Sequence, residues 1–187
     1  MIQFSIQITG ESPLLCNRFT DAAMLKLDGG TSAVSSAFDK GTPRARASEK
    51  VYSDAAGCPV LPGPNVYRSI IDAGRFHKAG KEKITTVKSS LVPAGIWLKE
   101  IEIPIVDGAW EVDVRTVVNP ATGGRMVSYR PRFDRWSISF TLDVDDKMFG
   151  PSIVRALVDD AGQKIGVGDF RPARKGPFGR FKVTSWK

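Results

Sequence analysis

Histidine, cysteine and long apolar runs are all scarce in this sequence. Its 187 residues include one histidine and two cysteines, Cys16 and Cys58, at no metal-binding spacing. A closed zinc site needs four such ligands, so we expect neither a metal nor another cofactor. No run of about 18 apolar residues occurs, and no Walker A or nucleophile-elbow motif is present. The first ten residues also lack a signal peptide pattern, so we expect a cytoplasmic chain with reduced, structural cysteines and no membrane partner.

Acidic residues are outnumbered by basic ones in only one part of the chain. The sequence has 27 Lys and Arg residues against 20 Asp and Glu residues, a net charge of +7. Residues 1–61 contain six of each kind, so the whole basic excess lies in residues 62–187. Such a confined excess is typical of a polyanion-binding site, although solubility alone would also explain it.

The segment 165–181, IGVGDFRPARKGPFGRF, combines glycine with basic and aromatic residues and contains a single acid, Asp169. Free backbone amides in glycine-rich turns, together with guanidinium groups, suit phosphates, and interleaved aromatic rings suit bases. A purely structural loop with its phenylalanines in the core is the simpler alternative. The glycines are Gly166, Gly168, Gly176 and Gly179, the cations are Arg171, Arg174, Lys175 and Arg180, and the aromatic residues are Phe170, Phe178 and Phe181.

Hydrophobic periodicity predicts an α+β fold. Alternating residues predict strands over 1–9, 97–106, 110–118, 136–144 and 181–186. Pro64 and Pro151 each fit the first turn of an amphipathic helix, and Gly162 fits a left-handed cap at the end of the second helix. The order is close to βαββαβ, the ferredoxin-like or RRM-like plan of an antiparallel sheet with two helices. We expect one such domain over residues 1–187.

Two segments interrupt this plan. Residues 11–57 form a long loop after the first strand, with a short helix predicted after Thr42-Pro43, and residues 119–135 predict a β-hairpin arm. Loops of this length in a compact domain are usually functional or disordered. The predicted nucleic-acid-binding residues outside the glycine-rich segment are Arg68 and Arg75 of the first helix and Arg125, Tyr129, Arg130 and Arg132 of the arm.

Two stretches together resemble the RAMP superfamily of CRISPR-associated proteins, which are RRM-like. Residues 59–68, PVLPGPNVYR, are similar to the IPGSSLKG sequence that opens the first helix in the repeating backbone subunits of CRISPR effector complexes. Residues 166–168 and 176–180 are similar to the C-terminal glycine-rich loop of the superfamily. Because Pro64 and Asn65 replace the two serines, the chain is most like a distant, compact backbone-subunit type member.

The resemblance implies binding of single-stranded nucleic acid, usually a guide RNA, within a ribonucleoprotein of antiviral defence. Subunits of this kind stack head to tail into a filament or join other subunits. The sequence leaves open whether the strand is RNA or DNA.

Catalysis is the main alternative to plain binding. Some RAMP endoribonucleases cleave RNA without metal through a histidine, and His77 is the only candidate here. It lies among cations, and the sequence places no carboxylate at an obvious distance to orient it. Asp28 and Asp39 lie in the loop where other backbone subunits carry a cleaving aspartate. A non-catalytic binding subunit is therefore the leading hypothesis, with an endoribonuclease or a phage or mobile-element structural or interaction protein as alternatives.

Overall fold

The computed structural model describes residues 1–20, 24, 41–118 and 123–187. Antiparallel sheets and helices make up this part of the chain, so the predicted α+β class is confirmed. The strands are β1 (Ile2–Gly10), β2 (Leu14–Leu15), β3 (Val60–Pro62), β4 (Lys78–Ala79), β5 (Glu82–Lys83), β6 (Ile96–Leu98), β7 (Glu102–Pro104), β8 (Glu111–Val118), β9 (Arg125–Phe133), β10 (Ser137–Val144) and β11 (Phe181–Trp186). The helices are α1 (Pro43–Ser48), α2 (Gly63–Ala73), α3 (Val92–Gly95) and α4 (Pro151–Asp160).

A four-stranded antiparallel sheet in the order β11-β1-β10-β6 forms the centre of the fold. The alternation predicted for its two middle strands is observed, because Ile6 and Ile8 of β1 and Ile138 and Phe140 of β10 are buried while the residues between them are not. These apolar side chains belong to one core cluster that also contains buried residues of α2 and α4. One face of the sheet is therefore covered, and the other carries the polar residues of the same strands.

Both long helices form where the sequence predicts them. A proline lies in the first turn of α2 and of α4, where its missing N–H costs nothing. The left-handed cap predicted at Gly162 is wrong, because α4 continues into a π-helical turn over Ala161–Ile165 and Gly166 is the residue with φ 73°. A Cβ atom on Gly162 would collide with the carbonyl of Phe181, so close packing explains this glycine. No helix in the described part of the chain is long and apolar enough to span a membrane.

The hairpin arm is longer than the sequence predicts. The predicted arm covers residues 119–135, but β8 also belongs to it, because β8 pairs along its whole length with β9, and β9 in turn pairs with β2. Residues 125–133 form one regular strand of this hairpin. Because β8 lies in this hairpin, two apolar residues of its alternating pattern, Val114 and Val118, stay mostly exposed.

The strand predicted over residues 97–106 is interrupted. Its first part, β6, lies at the edge of the central sheet, and its second part, β7, pairs with β3. Between them, the carbonyl of Ile101 accepts a hydrogen bond from the amide of Gly63 at 2.7 Å, which turns the chain towards the start of α2. The alternation over residues 97–106 predicts that Ile101, Ile103 and Ile105 share the inward face. Ile103 and Ile105 are buried, but Ile101 is 78% exposed, so its inward position is wrong.

The long segment after β1 contains the predicted short helix. Thr42 caps α1 by accepting a hydrogen bond from the amide of Ala45 at 3.2 Å on its side-chain oxygen. Strand β2 also lies in this segment. Residues 21–23 and 25–40, with Asp28 and Asp39 among them, lie outside the described residues.

Candidate nucleic-acid interface

The glycines of the glycine-rich loop, here residues 166–180, allow a backbone path that other residues resist. Gly166, Gly168 and Gly179 have φ angles of 73°, 76° and 71°, in the left-handed region. A Cβ atom on Gly168 would lie 2.5 Å from the carbonyl oxygen of Leu15. Close backbone approach and left-handed geometry therefore both require glycine at position 168.

This loop is held against β2 and the start of α2. The side-chain oxygen of Asn65 accepts a hydrogen bond from the amide of Gly168 at 2.9 Å, across 103 residues of sequence. The amide of Asp169 donates to the carbonyl of Leu15 at 2.8 Å, and that of Gly179 donates to Pro13 at 2.8 Å. The two motifs singled out in the sequence, the PGPN helix start and the glycine-rich loop, are thus in direct contact.

Three cations of the loop lie close together. Burial lowers the pKa of Arg171 below its ordinary value, and the neighbouring positive charges of Arg174 and Arg68 lower it further. Arg171 donates to the carbonyl of Gly168 at 3.0 Å, which fixes its side chain along the loop. Arg174 and Lys175 are exposed. Arg68 and Arg171 each lie three residues after Asn65 and Gly168, which are hydrogen-bonded to each other, so α2 and the loop carry these two cations in the same region.

Two further guanidinium groups adjoin this region, Arg68 in α2 and Arg75 in the turn that follows it. Arg68 and Arg75 each lie 3.2 Å from the same carboxylate oxygen of Asp72, while 63% and 51% of their side chains stay exposed. One buried carboxylate thus orients two arginines and neutralises only one of them. We refer to Arg68, Arg75, Arg171, Arg174 and Lys175 as the cationic cluster.

A small polar pocket of about 150 Å³ adjoins the loop. Burial, with the neighbouring Cys16 as a second cause, raises the pKa of Tyr52 in its wall. Burial and then the charges of Arg130 and Arg46 lower the pKa of Lys50, so this region also contains cations. The pocket is lined by Cys16, Asn17, Tyr52, Leu61, Asn65, Gly168 and Asp169.

Sequence reasoning missed the pocket residues that precede β3. Asn17 and Tyr52 belong to the segment 11–57, in which basic and acidic residues balance. Asn65, in the helix-start motif, and Gly168 and Asp169, in the glycine-rich segment, did carry a signal. The remaining pocket residues come together only because β2 pairs with the arm and the loop hydrogen-bonds to β2.

Arg130 has a different role from the one predicted. It is 6% exposed, and it donates to Asp169 at 2.7 Å and to Asp113 at 3.4 Å. A guanidinium enclosed by two carboxylates is not available to a phosphate, so Arg130 connects the arm to the glycine-rich loop. We leave it out of the proposed interface with phosphates for that reason.

The other predicted arm residues are also engaged within the protein. Arg132 binds both carboxylate oxygens of Asp134, at 2.7 and 3.0 Å, and this hydrogen bonding raises the pKa of Arg132. Tyr129 is half-buried, with the guanidinium of Arg46 4.5 Å from its ring centre. Arg125 is exposed at the far end of the hairpin. The contacts of Tyr129 and Arg132 do not bring them to the cationic cluster.

The phenylalanines and the last arginine of the segment divide between core and surface. Phe178 and Phe181 are 6% and 1% exposed, so their predicted base-stacking role is wrong and the structural alternative is right for them. Phe170 is 36% exposed. Arg180 is exposed and donates to the carbonyl of Gln163 in the π-helical turn, at the other end of the loop from Arg171.

His77 has a carboxylate partner that the sequence does not reveal. Its Nε2 lies 2.9 Å from an oxygen of Asp160, and Lys164 donates to that same oxygen at 2.6 Å. The expectation that no carboxylate orients His77 is therefore wrong. The contact joins the segment after α2 to the end of α4, so it also has a structural role.

Comparison with known proteins gives no family assignment. No protein-family model and no curated protein matches the chain. Among solved structures, the chain is similar to "Crystal structure of Cmr6 from Pyrococcus furiosus", at 11% sequence identity and a TM-score of 0.43, over 96% of this chain and 97% of that one. A similarity of that size carries no conclusion about ligand or activity.

Proposed function

We propose that this chain binds single-stranded nucleic acid, with RNA as the favoured ligand, through the cationic cluster. One observation carries the proposal: the hydrogen bond between Asn65 and Gly168 joins the start of α2 to the glycine-rich loop. This contact supports one shared surface for the cations of two segments about 100 residues apart. Exposed guanidinium groups at fixed positions bind phosphates strongly, because they donate several charge-assisted hydrogen bonds.

The arrangement favours a single strand over a duplex. Tyr52, Asn17 and Asn65 of the small pocket offer one ring, two side-chain amide NH₂ groups and the amide oxygen of Asn17, since the oxygen of Asn65 is already bonded to Gly168. Groups of this kind reach bases and ribose hydroxyls only where the bases are unpaired. The ribose 2′-hydroxyl is the group by which such a site would prefer RNA to DNA.

The fold supports an RRM-like assignment as part of the proposal. Taken in chain order, β1, α2, β6, β10, α4 and β11 follow the βαββαβ plan, and the observed order of the four strands is the one that this plan produces. The open face of the sheet differs from that of a typical RRM, because Ser5, Gln7, Ser139 and Thr141 occupy it in place of stacking aromatic residues. The ligand is therefore assigned to the glycine-rich loop and not to the sheet.

The sequence resemblance to RAMP proteins supports, as part of this proposal, a role in a CRISPR-like ribonucleoprotein. In that setting the chain is a non-catalytic subunit that contacts further copies of itself or other subunits along the bound strand. The hairpin of β8 and β9, which lies outside the central sheet and exposes Val118 and Met126 near its end, is the element that we assign to such contacts.

Binding is tested with the purified protein and fluorescently labelled single strands of RNA and DNA, followed by anisotropy. We expect submicromolar to micromolar binding that weakens with salt, tighter for RNA, and an elevated ratio of 260 to 280 nm absorbance in freshly purified material. A protein that purifies free of nucleic acid and gives no anisotropy change with either strand would refute the proposal. It would favour the third alternative, a structural or interaction protein.

An endoribonuclease remains a second candidate function because Asp160 orients His77. An oriented imidazole is what general acid–base cleavage of RNA requires. Cleavage by the wild-type protein in the presence of a chelator, lost in a His77→Gln variant that still binds RNA, would establish this function. Our proposal predicts intact RNA in both cases.

A further inference from the structure

A second and larger groove lies between the hairpin arm and the glycine-rich loop, next to the cationic cluster. Its volume is about 580 Å³, within the range of sites that accept small organic groups. Its lining combines an aromatic ring, apolar side chains and guanidinium groups. The lining residues are Val114, Arg115, Thr116, Val117, Arg130 and Phe170.

Phe170 is held in the groove wall by an unusual backbone conformation. Its φ angle is 47°, a left-handed value that is costly for a bulky residue. Its amide donates to its neighbour Asp169 at 2.9 Å, and its carbonyl accepts from the amide of Phe178 at 3.3 Å. Glycine would adopt this conformation without strain, yet the position carries a ring that is 36% exposed. The loop geometry alone does not explain why the residue is phenylalanine.

Arg115 is fixed beside the ring of Phe178, which neighbours the ring of Phe170. Its Nε donates to both carboxylate oxygens of Asp113 at 3.0 Å, and the carbon of its guanidinium lies 4.8 Å from the ring centre of Phe178. The rings of Phe178 and Phe170 are 6.1 Å apart. Arg115, Phe178 and Phe170 therefore form a continuous series of planar groups in defined orientations, with Val114 exposed in the same groove.

The charges of the groove are internally balanced. Arg115 and Arg130 contribute two positive charges, and Asp113 and Asp169, to which they are bonded, contribute two negative charges. A phosphate would gain little from such a site, whereas a neutral, planar, polar ring would meet stacking partners and hydrogen-bonding groups. The groove thus differs in kind from the cationic cluster, where charge is in excess.

The two sites are continuous along the chain. Phe170 lines the groove, and the next residue, Arg171, belongs to the cationic cluster. A strand whose phosphate lies on Arg171 would have an adjacent base within reach of the Phe170 ring, because both are carried by consecutive residues of one loop. Asp169, bonded to Arg130 at 2.7 Å, holds this part of the loop against the arm.

We propose that the groove accepts one unstacked nucleobase of the strand bound at the cationic cluster, stacked on Phe170 and bordered by Arg115 and Val114. This inference rests on the proposed function, since the strand must first bind. Stacking of a base on an aromatic side chain tolerates any sequence, so the groove adds affinity without base specificity.

The test compares an ordinary single-stranded oligonucleotide with one of the same length in which every base is replaced by an abasic site. The wild-type protein should prefer the ordinary strand by at least about tenfold, the effect expected for one base–aromatic stack. Phe170→Gly suits the backbone conformation and removes only the ring, so it should lower this preference by about tenfold. Phe170→Tyr should keep the wild-type preference.

Trp97→Ala is the matched control, because it removes a partly exposed aromatic residue from the edge strand of the central sheet. This variant should keep the wild-type preference. A Phe170→Gly protein that still prefers the ordinary strand by the wild-type factor would overturn the nucleobase groove and leave the proposed function standing. Absence of binding to either strand by the wild-type protein would overturn both.

Discussion

Removal of two charges from the glycine-rich loop should weaken nucleic-acid binding in a salt-dependent way. The variant Arg174→Gln with Lys175→Asn is suited to this purpose, because both side chains are exposed and neither substitution removes a buried group. Lys175 has a φ angle of 61°, and asparagine tolerates that left-handed conformation better than alanine does. The folded structure should therefore survive the change, and the loss should be one of phosphate contacts.

The magnitude follows from the number of cations in the cluster. If each cluster residue neutralises one phosphate of a single strand, the slope of log K against log salt is about −3.5 for the wild type and about −2.1 for the variant. Between about 50 and 200 mM salt, the wild type should then lose about 130-fold in affinity and the variant about 18-fold. Asp72 already binds Arg68 and Arg75, so the absolute slopes are upper values, but the difference of about 1.4 is unaffected.

Fluorescence anisotropy with a labelled single strand at several salt concentrations measures both slopes. The control is Lys147→Gln with Lys187→Gln, which also removes two positive charges. One lies in the connection between β10 and α4, and the other lies on the last residue. If the cluster binds phosphates, the control keeps the wild-type slope. Equal slopes for the loop variant and the wild type, or equal losses in the loop variant and the control, would refute the reasoning and leave only a general effect of net charge.

Two further predictions concern the fold around the site. Gly168→Ala should lower the free energy of unfolding by about 2–4 kcal/mol in urea titrations, because the new Cβ atom meets the β2 backbone and the residue has a left-handed conformation. Gly80 is also left-handed but lies in open space, so Gly80→Ala should lower it by only about 1–2 kcal/mol. Equal losses in the two variants would contradict the close approach at Gly168. In the native protein only Cys58 should react with a thiol reagent, because Cys16 is buried and burial raises its pKa to about 12; release of two thiol equivalents before unfolding would contradict that burial.

The sequence by itself determined the regular elements of the central unit. Strands β1 and β10 and helices α2 and α4 were predicted because each is set by local periodicity, and each helix also by a proline in its first turn. The glycine-rich loop was also located from local sequence, because the left-handed φ angles at Gly166, Gly168 and Gly179 favour glycine at those positions. The main local error, the cap at Gly162, arose because contact with the distant strand β11 also selects glycine there.

Only the tertiary structure decided which cations form a site. Arg68 and Arg171 act on the same region because Asn65 hydrogen-bonds to Gly168, and nothing in either local sequence encodes that contact. Arg130 is also an arginine with basic neighbours in the sequence. In the fold, however, it is enclosed by two carboxylates from separate segments. Charge density along a chain shows where a polyanion could bind, but the availability of each charge depends on which acids the fold brings to it, and that is a property of long-range packing.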